Sequence, residues 1–472
     1  MPPRDSRMNN PGPEILAQLR AVVGPEWLLT DADALARYGV DQTTVYSAQP
    51  CAVALPADVG QVQALVRCAA EHHLAVVPSG GRTGLSAGAV AARGELVLAL
   101  DRLDSVEDFN PVDRTVRCGA GVITQQLQAF AAEQGLFYPV DFASSGASQL
   151  GGNIATNAGG IKVIRYGSTR DWVRGLRVVT ATGELLDLNR GLVKNNAGFD
   201  LRHLIIGSEG TLGIVVEATM RLARPPTDLA VLLLGAQDMD ALLVILQAFR
   251  EPIPLTACEF FSDRALARVV ERHGLPRPFD AEAPYYALLE FERDNGAAVE
   301  SALQVFERCM AQSLLLGGVV SQSLAQADAL WRLRELISES LAPWVPCKCD
   351  LSVRVSQLPA FMAEVDNTLG GSYPAFELIW FGHLGDGNMH LNILKPASIS
   401  AEEFQQRCMP LLQCVGEIVQ RYGGSLCAEH GVGLLKKDGL RYSQSQAEIQ
   451  LMKQIKRVFD PEGILNPGKI FE

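Results

Sequence analysis

Apolar residues recur along the chain with the spacing of amphipathic helices and short buried strands. Between residues 59 and 73 they fall at Val62, Leu65, Val66 and Ala69, which would share one face of a helix. Short apolar runs flank this segment and have the length of buried strands. From about residue 50 to residue 225 the pattern therefore predicts strands at 52–55, 74–77, 96–100 and 115–118 and helices at 59–73 and 125–134.

Beyond this region the helices become longer. Residues 221–226 read Arg-Leu-Ala-Arg-Pro-Pro, and the two prolines predict a domain boundary there. After it we expect strands at 230–234, 286–291, 351–355 and 376–380 and helices at 238–249, 297–312, 325–341 and 402–422. The pattern favours a mixed fold of helices and strands, with domains at residues 1–45 (a helical lead-in), 46–225, 226–450 and 451–472 (a closing segment).

Length, composition and charge narrow the class of protein. A chain of 472 residues with 48% hydrophobic residues is too long for one simple core and is typical of a globular protein. A net charge of −12 disfavours nucleic acid as a partner, and an anionic substrate would need a local basic pocket. No apolar run reaches the ~18 residues of a membrane span. The ten scattered cysteines and the polar, proline-rich first residues lead us to expect a cytoplasmic protein.

Four glycine-rich segments interrupt the first mixed region, at residues 78–84, 151–160, 165–169 and 207–213. Such segments let backbone N–H groups approach phosphates and planar rings closely. Ordinary turns are the alternative interpretation, but four segments so close together favour a ligand. None has the spacing of a nicotinamide-binding Rossmann loop or of a P-loop, so neither of these sites is supported.

Three of the seven histidines fall in two short glycine-flanked segments near the end of the chain. His383 and His390 lie in the first segment, and Glu429 and His430 lie in the second. Two imidazoles and one carboxylate form the ligand set of a catalytic zinc-type ion that keeps a position open for substrate. His430 would then stand beside the metal as a base. The alternative is that these are unrelated polar loop residues.

Taken together, these segments resemble the flavoprotein superfamily of vanillyl-alcohol oxidase and p-cresol methylhydroxylase over almost the whole chain. The resemblance is carried by residues 78–88, 139–142, 151–160, 207–213, 383–390, 429–430 and 466–468. The branch that oxidises D-2-hydroxy acids fits best. The resemblance implies an α+β fold, with a two-subdomain FAD-binding domain of the vanillyl-alcohol oxidase type, an α+β substrate and metal-binding cap domain, and a C-terminal segment that returns to the FAD domain.

The resemblance implies FAD as the cofactor, with residues 80–84 around the pyrophosphate. The residues expected to contact it are Pro78, Gly80, Gly81, Arg82, Thr83, Gly84, Ser86, Ser145, Gly146, Gly151, Gly152, Asn153, Thr156, Gly210, Gly213, Ile214 and Asn466. Some superfamily members attach flavin covalently through a histidine. No histidine lies between His73 and His203, so we expect FAD to be bound non-covalently.

The resemblance also implies His383, His390 and Glu429 as ligands of a divalent metal and His430 as the general base. The metal is expected to be Zn²⁺, although the ligand types do not separate it from manganese or cobalt. Two cations are expected to bind substrate carboxylates and two further residues to contact the substrate. These four residues are Arg334, Lys348, Ser338 and Asn388.

The expected reaction is oxidation of D-2-hydroxyglutarate to 2-oxoglutarate, with hydride transfer from C2 to FAD. D-lactate, D-malate and glycolate are the alternative substrates. Electron-transfer flavoprotein is the implied electron acceptor, and a homodimer is one expected assembly. Two other classes remain open. A zinc hydrolase would leave the glycine-rich segments unexplained, and a non-catalytic flavin-binding subunit would show no turnover by itself.

Overall fold

A computed structural model describes residues 11–293 and 296–471 of the chain. The chain divides into two compact units. Of the described residues, the first unit comprises 11–159, 168–225 and 429–471, and the second comprises 160–167, 226–293 and 296–428. Within the described residues, no helix has both the length and the apolar character needed to cross a bilayer.

The strands belong to three sheets. Those of the first unit are β1 (Leu28–Leu29), β2 (Ala52–Ala54), β3 (Val76–Ser79), β4 (Leu96–Ala99), β5 (Val106–Asn110), β6 (Thr115–Gly119), β7 (Val173–Val179), β8 (Leu185–Leu188) and β9 (Ile214–Arg221). Those of the second unit are β10 (Leu229–Ala236), β11 (Leu255–Ser262), β12 (Tyr285–Glu292), β13 (Leu315–Val320), β14 (Cys347–Ser352), β15 (Glu377–His383) and β16 (Asn388–Leu394).

The α-helices, in chain order, lie mainly between these strands. They are α1 (Pro13–Val23), α2 (Ala32–Tyr38), α3 (Val59–Glu71), α4 (Thr124–Glu133), α5 (Leu150–Thr156), α6 (Val163–Tyr166), α7 (Thr169–Trp172), α8 (Arg202–Ile205), α9 (Met239–Arg250), α10 (Asp263–His273), α11 (Ala297–Ala311), α12 (Leu324–Glu335), α13 (Ile337–Leu341), α14 (Leu358–Ser372), α15 (Ala401–Arg421), α16 (Leu440–Ser443) and α17 (Gln446–Phe459).

The first unit contains two sheets. One has the strand order β1-β2-β4-β3, in which β2 and β3 run parallel to β4. The other has the order β5-β6-β9-β7-β8 and is antiparallel. Helix α3 covers the first sheet because its apolar stripe faces the core, and Val62, Leu65, Val66 and Ala69 are fully buried as predicted. Asp58 caps the start of this helix by accepting from the Gln61 N–H at 2.8 Å.

The second unit is built on one antiparallel sheet with the order β13-β10-β12-β11-β15-β16-β14. Successive side chains of a strand point to opposite faces, and this sheet uses its two faces differently. On one face Met389, Leu391 and Ile393 of β16 join a large apolar core that includes residues of α9, α14 and α15. Asn388, His390 and Asn392 alternate with them and therefore lie on the other face. That second face carries the polar residues described below.

The α+β class predicted from the sequence is confirmed, and so are most of the predicted elements. The predicted helix at 325–341 is instead two helices, α12 and α13, because the backbone breaks at Leu336. The strand predicted at 351–355 was wrong in position, since β14 ends at Ser352. The elements missed from the sequence are β1, β5, β7, β8, β9, β11, β13, β16, α5, α6, α7, α8, α10, α14 and α16.

Candidate active site

The first unit contains a cleft that is open to solvent. Most of the residues expected to contact FAD line it. They are Pro78, Gly80, Gly81, Arg82, Thr83, Gly84, Ser86, Gly151, Gly152, Asn153, Thr156, Gly210, Gly213, Ile214 and Asn466.

Two residues expected to contact FAD, Ser145 and Gly146, are not among the residues that line the cleft. They lie in a turn against the start of α4, where the Gln125 N–H donates to the Ser145 carbonyl at 3.0 Å. The space beside Gly146 is also limited by Gln125, because a Cβ atom there would lie 3.2 Å from Gln125 Oε1. Their contact with the cofactor stays a prediction.

Three buried polar atoms of the lining have no hydrogen-bond partner among the described residues. They are Gln149 Oε1, Ser208 Oγ and Asn466 Oδ1. Buried polar groups are nearly always hydrogen-bonded in folded proteins, because burying them unpaired is unfavourable. These atoms fit a polar ligand that enters the cleft. Asn466 was predicted from the sequence, whereas Gln149 and Ser208, which stand in or beside the glycine-rich segments, were not.

The segment that follows His430 is joined to the loop after β3. Ser86 Oγ donates to the His430 carbonyl at 2.9 Å, and the Leu434 N–H donates to the Ser86 carbonyl at 3.0 Å. Gly433 has φ +52°, and a Cβ atom on it would lie 2.0 Å from the Ser86 carbonyl oxygen. Only glycine permits so close an approach. These contacts bring His430 into the lining of the cleft, together with the glycine-rich loops.

A buried carboxylate, Glu209, holds the same segment from the other side. Its oxygens accept from the Val432 N–H at 2.7 Å and from the Gly433 N–H at 2.8 Å. Asn466 Nδ2 donates to the Glu209 carbonyl at 2.7 Å. Burial raises the pKa of Glu209, while the two backbone donors act in the opposite direction. Glu209 was not predicted from the sequence, although it is the acidic residue inside the glycine-rich segment 207–213.

The polar face of the second unit brings together both predicted metal-binding histidines of β15 and β16. The His383 and His390 rings lie 5.3 Å apart between centroids and nearly perpendicular. Asp350 of β14 lies opposite His390 in the ladder, with its Oδ1 3.9 Å from His390 Nδ1. The hairpin between the strands depends on Gly387, which has φ +83° and packs against the Val353 carbonyl.

A further carboxylate, Glu259 of β11, lies beside His383 and is fully buried. Its Oε1 lies 2.7 Å from His383 Nδ1. Its Oε2 lies 2.7 Å from Arg334 Nη2 and forms an ion pair with the guanidinium. The Arg334 guanidinium also stacks over the Phe381 ring, 4.9 Å from its centroid. Arg334 was predicted from the sequence, whereas Glu259, a lone acidic residue within an apolar strand, was not.

The other residues expected to contact the substrate differ in their surroundings. Both N–H groups of the Asn388 amide are engaged, with Asp350 Oδ1 and with the Leu351 carbonyl, each at 2.9 Å. Asn392 is buried on the same face, opposite Lys348, and was missed. Lys348 reaches solvent, although partial loss of hydration lowers the pKa of its ammonium. Ser338 is exposed on α13.

The remaining predicted ligand and the predicted base are neighbours in the chain. Residues Ser425 and Cys427 run beside β14, where Ser425 exchanges two backbone hydrogen bonds with Ser352 and Cys427 pairs with Asp350. Two residues later the chain enters the first unit at Glu429. There Glu429 Oε1 lies 3.2 Å from His430 Nε2. The predicted ligands are thus carried by two units, with His383 and His390 in the second and Glu429 in the first.

Comparison with known proteins identifies relatives along the whole chain. Residues 225–470 match the family described as FAD linked oxidases, C-terminal domain, and residues 50–189 match an FAD binding domain. A D-2-hydroxyglutarate dehydrogenase of Stutzerimonas stutzeri (strain A1501) is 55% identical over 459 residues, which cover 97% of this chain and 99% of the relative. A mitochondrial D-2-hydroxyglutarate dehydrogenase of Danio rerio is 34% identical, covering 97% and 85%.

A solved structure supports the fold. The crystal structure of p-cresol methylhydroxylase with substrate bound matches with a TM-score of 0.78 and 17% identity, covering 97% of this chain and 96% of that chain. At this identity the match bears on the fold alone. It confirms the fold of the vanillyl-alcohol oxidase and p-cresol methylhydroxylase superfamily expected from the sequence.

Proposed function

The chain belongs to the FAD-linked oxidase family, and on that premise we propose that it is an FAD-dependent dehydrogenase that oxidises D-2-hydroxyglutarate to 2-oxoglutarate. One observation carries the proposal. The imidazole-bearing residue His430 lines the same cleft as the glycine-rich loops, so a base and the cofactor loops share one site. The name of the 55% identical relative supports the choice of substrate.

The cleft of the first unit fits FAD. Its loops offer backbone N–H groups where glycines allow close approach, and Gln149, Ser208 and Asn466 offer buried polar atoms that have no protein partner. When bound, FAD supplies the acceptor for the hydride that leaves C2 of the substrate. The protein's part is to hold the cofactor, to orient the substrate and to move the hydroxyl proton.

His430 is the proposed acceptor of that proton. Imidazole is the side chain that most often serves as a general base. Hydrogen bonds hold its backbone in place. Ser86 Oγ donates to the His430 carbonyl, and the Glu209 carboxylate accepts from the N–H groups at positions 432 and 433. A fixed backbone limits the positions that the imidazole can take relative to the substrate.

We propose that His383, His390 and Glu429 hold a divalent metal, with Zn²⁺ the first candidate. The spacing of the two rings in the second unit supports this, as do the carboxylates beside the Nδ1 atom of each ring, Glu259 and Asp350. A divalent ion held there would stabilise the negative charge that develops on the substrate hydroxyl.

Arg334 and Lys348 are the proposed partners of the substrate carboxylates. Arg334 Nε is buried and has no hydrogen-bond partner among the described residues, so a donor is available for a carboxylate. Lys348, on the same face of the sheet, provides a second cation. Arg334 is buried, and a buried N–H left without an acceptor is unfavourable, which favours a dicarboxylate over D-lactate or glycolate.

The acceptor, the assembly and the location are further parts of the proposal. Electron-transfer flavoprotein is the proposed electron acceptor, a homodimer the proposed assembly and the cytoplasm the proposed location. A zinc hydrolase would have no need of the FAD-binding domain matched at residues 50–189, and oxidation is therefore the favoured chemistry.

Turnover by the isolated chain with an artificial electron-accepting dye tests this function. D-2-hydroxyglutarate should give the highest kcat/KM among D-2-hydroxyglutarate, D-malate, D-lactate and glycolate, and 2-oxoglutarate should be the product. L-2-hydroxyglutarate should not react. Absence of turnover with every acid would indicate a non-catalytic flavin subunit, and a higher kcat/KM for D-lactate would contradict the choice of a dicarboxylate.

A further inference from the structure

The Glu259 carboxylate, described so far only as a neighbour of His383 and Arg334, touches two residues of the proposed site. Oε1 lies 2.7 Å from Nδ1 of the proposed metal ligand His383. Oε2 lies 2.7 Å from Nη2 of the proposed substrate-binding residue Arg334. The carboxylate is fully buried. An ionised group is placed in a protein interior only at a large desolvation cost, so its partners are part of why it is tolerated there.

The contact with His383 selects one tautomer of the imidazole. A carboxylate accepts hydrogen bonds and donates none, so the ring hydrogen lies on Nδ1. The lone pair then lies on Nε2, and this nitrogen is the one that His383 can offer to a metal ion. Carboxylates that receive the second N–H of a metal-binding histidine fix the ring orientation and raise the basicity of the ligand nitrogen.

The contact with Arg334 fixes the other half of the site. The guanidinium is held at Nη2 by Glu259 and on one face by the Phe381 ring. Its Nε is buried and without a hydrogen-bond partner among the described residues. A planar guanidinium that is held at one end keeps its remaining donors in a fixed direction, which suits recognition of a carboxylate.

We propose that Glu259 is a positioning residue that serves both halves of the substrate site. It makes His383 present Nε2 to the metal, and it holds Arg334 so that an unpaired donor remains for the substrate carboxylate. This inference rests on the proposed function and deepens it. One carboxylate thereby links metal affinity with substrate affinity, and its loss should weaken both.

The chain offers a matched control in Glu290 of β12. Glu290 is also buried and lies on the same face of the sheet, one strand away. Its oxygens contact Lys162 Nζ at 2.7 Å, Thr256 Oγ1 at 2.6 Å and Trp331 Nε1 at 3.1 Å. None of these partners has a role in the proposed site. Glu290→Gln therefore reports the general effect of removing a buried carboxylate from this sheet.

The experiment compares Glu259→Gln with Glu290→Gln and the wild-type holoprotein. Metal affinity is measured by competition with a chelator for Zn²⁺, and KM is measured with D-2-hydroxyglutarate. Glu259→Gln should lower metal affinity about 10- to 100-fold, the usual effect of losing such a partner, and should raise KM. FAD content should stay unchanged. Glu290→Gln should keep wild-type metal affinity and KM.

Three results would overturn the inference. They are wild-type metal affinity in Glu259→Gln, wild-type KM in Glu259→Gln, and an equal loss of metal affinity in Glu290→Gln. If Glu259→Gln fails to fold, Glu259→Asp replaces it. The shorter carboxylate keeps the charge but does not span both partners, so unchanged metal affinity there would also overturn the inference. Chelator competition needs no turnover, so its result is separate from failure of the proposed function, which would appear as wild-type protein inactive on every acid.

Discussion

At the residue scale, the proposed chemistry depends on side chains whose neighbours fix their orientation. Each predicted metal-binding histidine of the second unit has a carboxylate beside its Nδ1 atom, Glu259 for His383 and Asp350 for His390. For His430 in the first unit, the backbone is held, because Ser86 Oγ donates to the His430 carbonyl. Sequence motifs identified the three histidines, but the acidic neighbours come from strands distant in sequence.

Substitution of the proposed base should separate proton transfer from binding. In His430→Ala, FAD and metal should remain bound, because the glycine-rich loops and the proposed ligands are unchanged. The rate of flavin reduction should fall about 10²- to 10⁴-fold, the usual effect of losing a general base. Rapid mixing with D-2-hydroxyglutarate under anaerobic conditions measures this rate. Metal loss in His430→Ala together with metal retention in Glu429→Ala would contradict this assignment, because it would make His430 the metal ligand and Glu429 the base.

A buried lysine near the C-terminus should make stability depend on pH. Lys469 is 1% exposed and donates from Nζ to the Val90 carbonyl at 2.7 Å. Burial lowers its pKa to about 8, whereas an unfolded chain keeps the proton to about pH 10.4. Between these values the unfolded state binds more protons. The free energy of unfolding should therefore rise with pH there, by up to about 1.4 kcal/mol per pH unit.

Lys469→Met provides the comparison for this prediction. The variant has no titrating group at this position and should lack the rise. Denaturant unfolding of both proteins at several values from about pH 8 to about pH 10 measures the difference in slope. Equal slopes in the two proteins would show that Lys469 keeps an ordinary pKa.

At the element scale, β16 shows why part of the site was predictable and part was not. Residues 388–394 read Asn-Met-His-Leu-Asn-Ile-Leu, with strict alternation of polar and apolar residues up to Ile393. The glycines before this segment favoured a loop, and the strand was missed. Without the strand, Asn392 could not be assigned to the face that carries His390. Glu259 was missed for a different reason, since it meets His383 only through the pairing of β11 with β15, and a sequence does not show which strands pair.

The glycine-rich loops were easier to predict from the sequence. Their residues are local in sequence, and close backbone approach limits the choice to glycine at many of these positions. The buried polar atoms of Gln149 and Ser208 that have no hydrogen-bond partner among the described residues could not be predicted in the same way. Their burial and hydrogen bonding depend on the packed structure.

The apolar face of β16 should matter for stability and not directly for chemistry. Leu391 is fully buried in the core under the sheet. Leu391→Ala should destabilise the protein by about 2–5 kcal/mol, because it removes buried methyl groups and leaves a cavity. Leu451→Ala on α17 is the control, since Leu451 is exposed and its loss should change stability by less than about 0.5 kcal/mol. Denaturant unfolding measures the free energy of unfolding of both variants. An equal loss of this free energy in the two variants would contradict the buried position of Leu391.

At the scale of the whole molecule, the proposed reaction uses residues of both units. The first unit carries the proposed FAD cleft and His430, and the second carries His383, His390 and Arg334. The family matches follow the same division, with the FAD binding domain at 50–189 and the C-terminal oxidase domain at 225–470. Fold and cofactor were predictable because the motifs for them span the chain.

Removal of the metal should abolish turnover and leave the fold intact. Each unit has its own apolar core, so folding does not depend on the proposed ligands. After chelator treatment, flavin absorbance and Tm should stay nearly unchanged, and added Zn²⁺ should restore activity. Loss of the fold on chelation would instead indicate a structural metal site.

Reduction of the bound flavin by D-2-hydroxyglutarate is the most direct test of the central claim, that the FAD cleft and the proposed base act together on a D-2-hydroxy acid. The purified holoprotein is mixed with the acid in the absence of oxygen, and the visible absorbance of the oxidised flavin is followed. We predict rapid bleaching with D-2-hydroxyglutarate, none with the L enantiomer, and strongly slowed bleaching in His430→Ala. A holoprotein whose flavin stays oxidised with every 2-hydroxy acid would contradict the account.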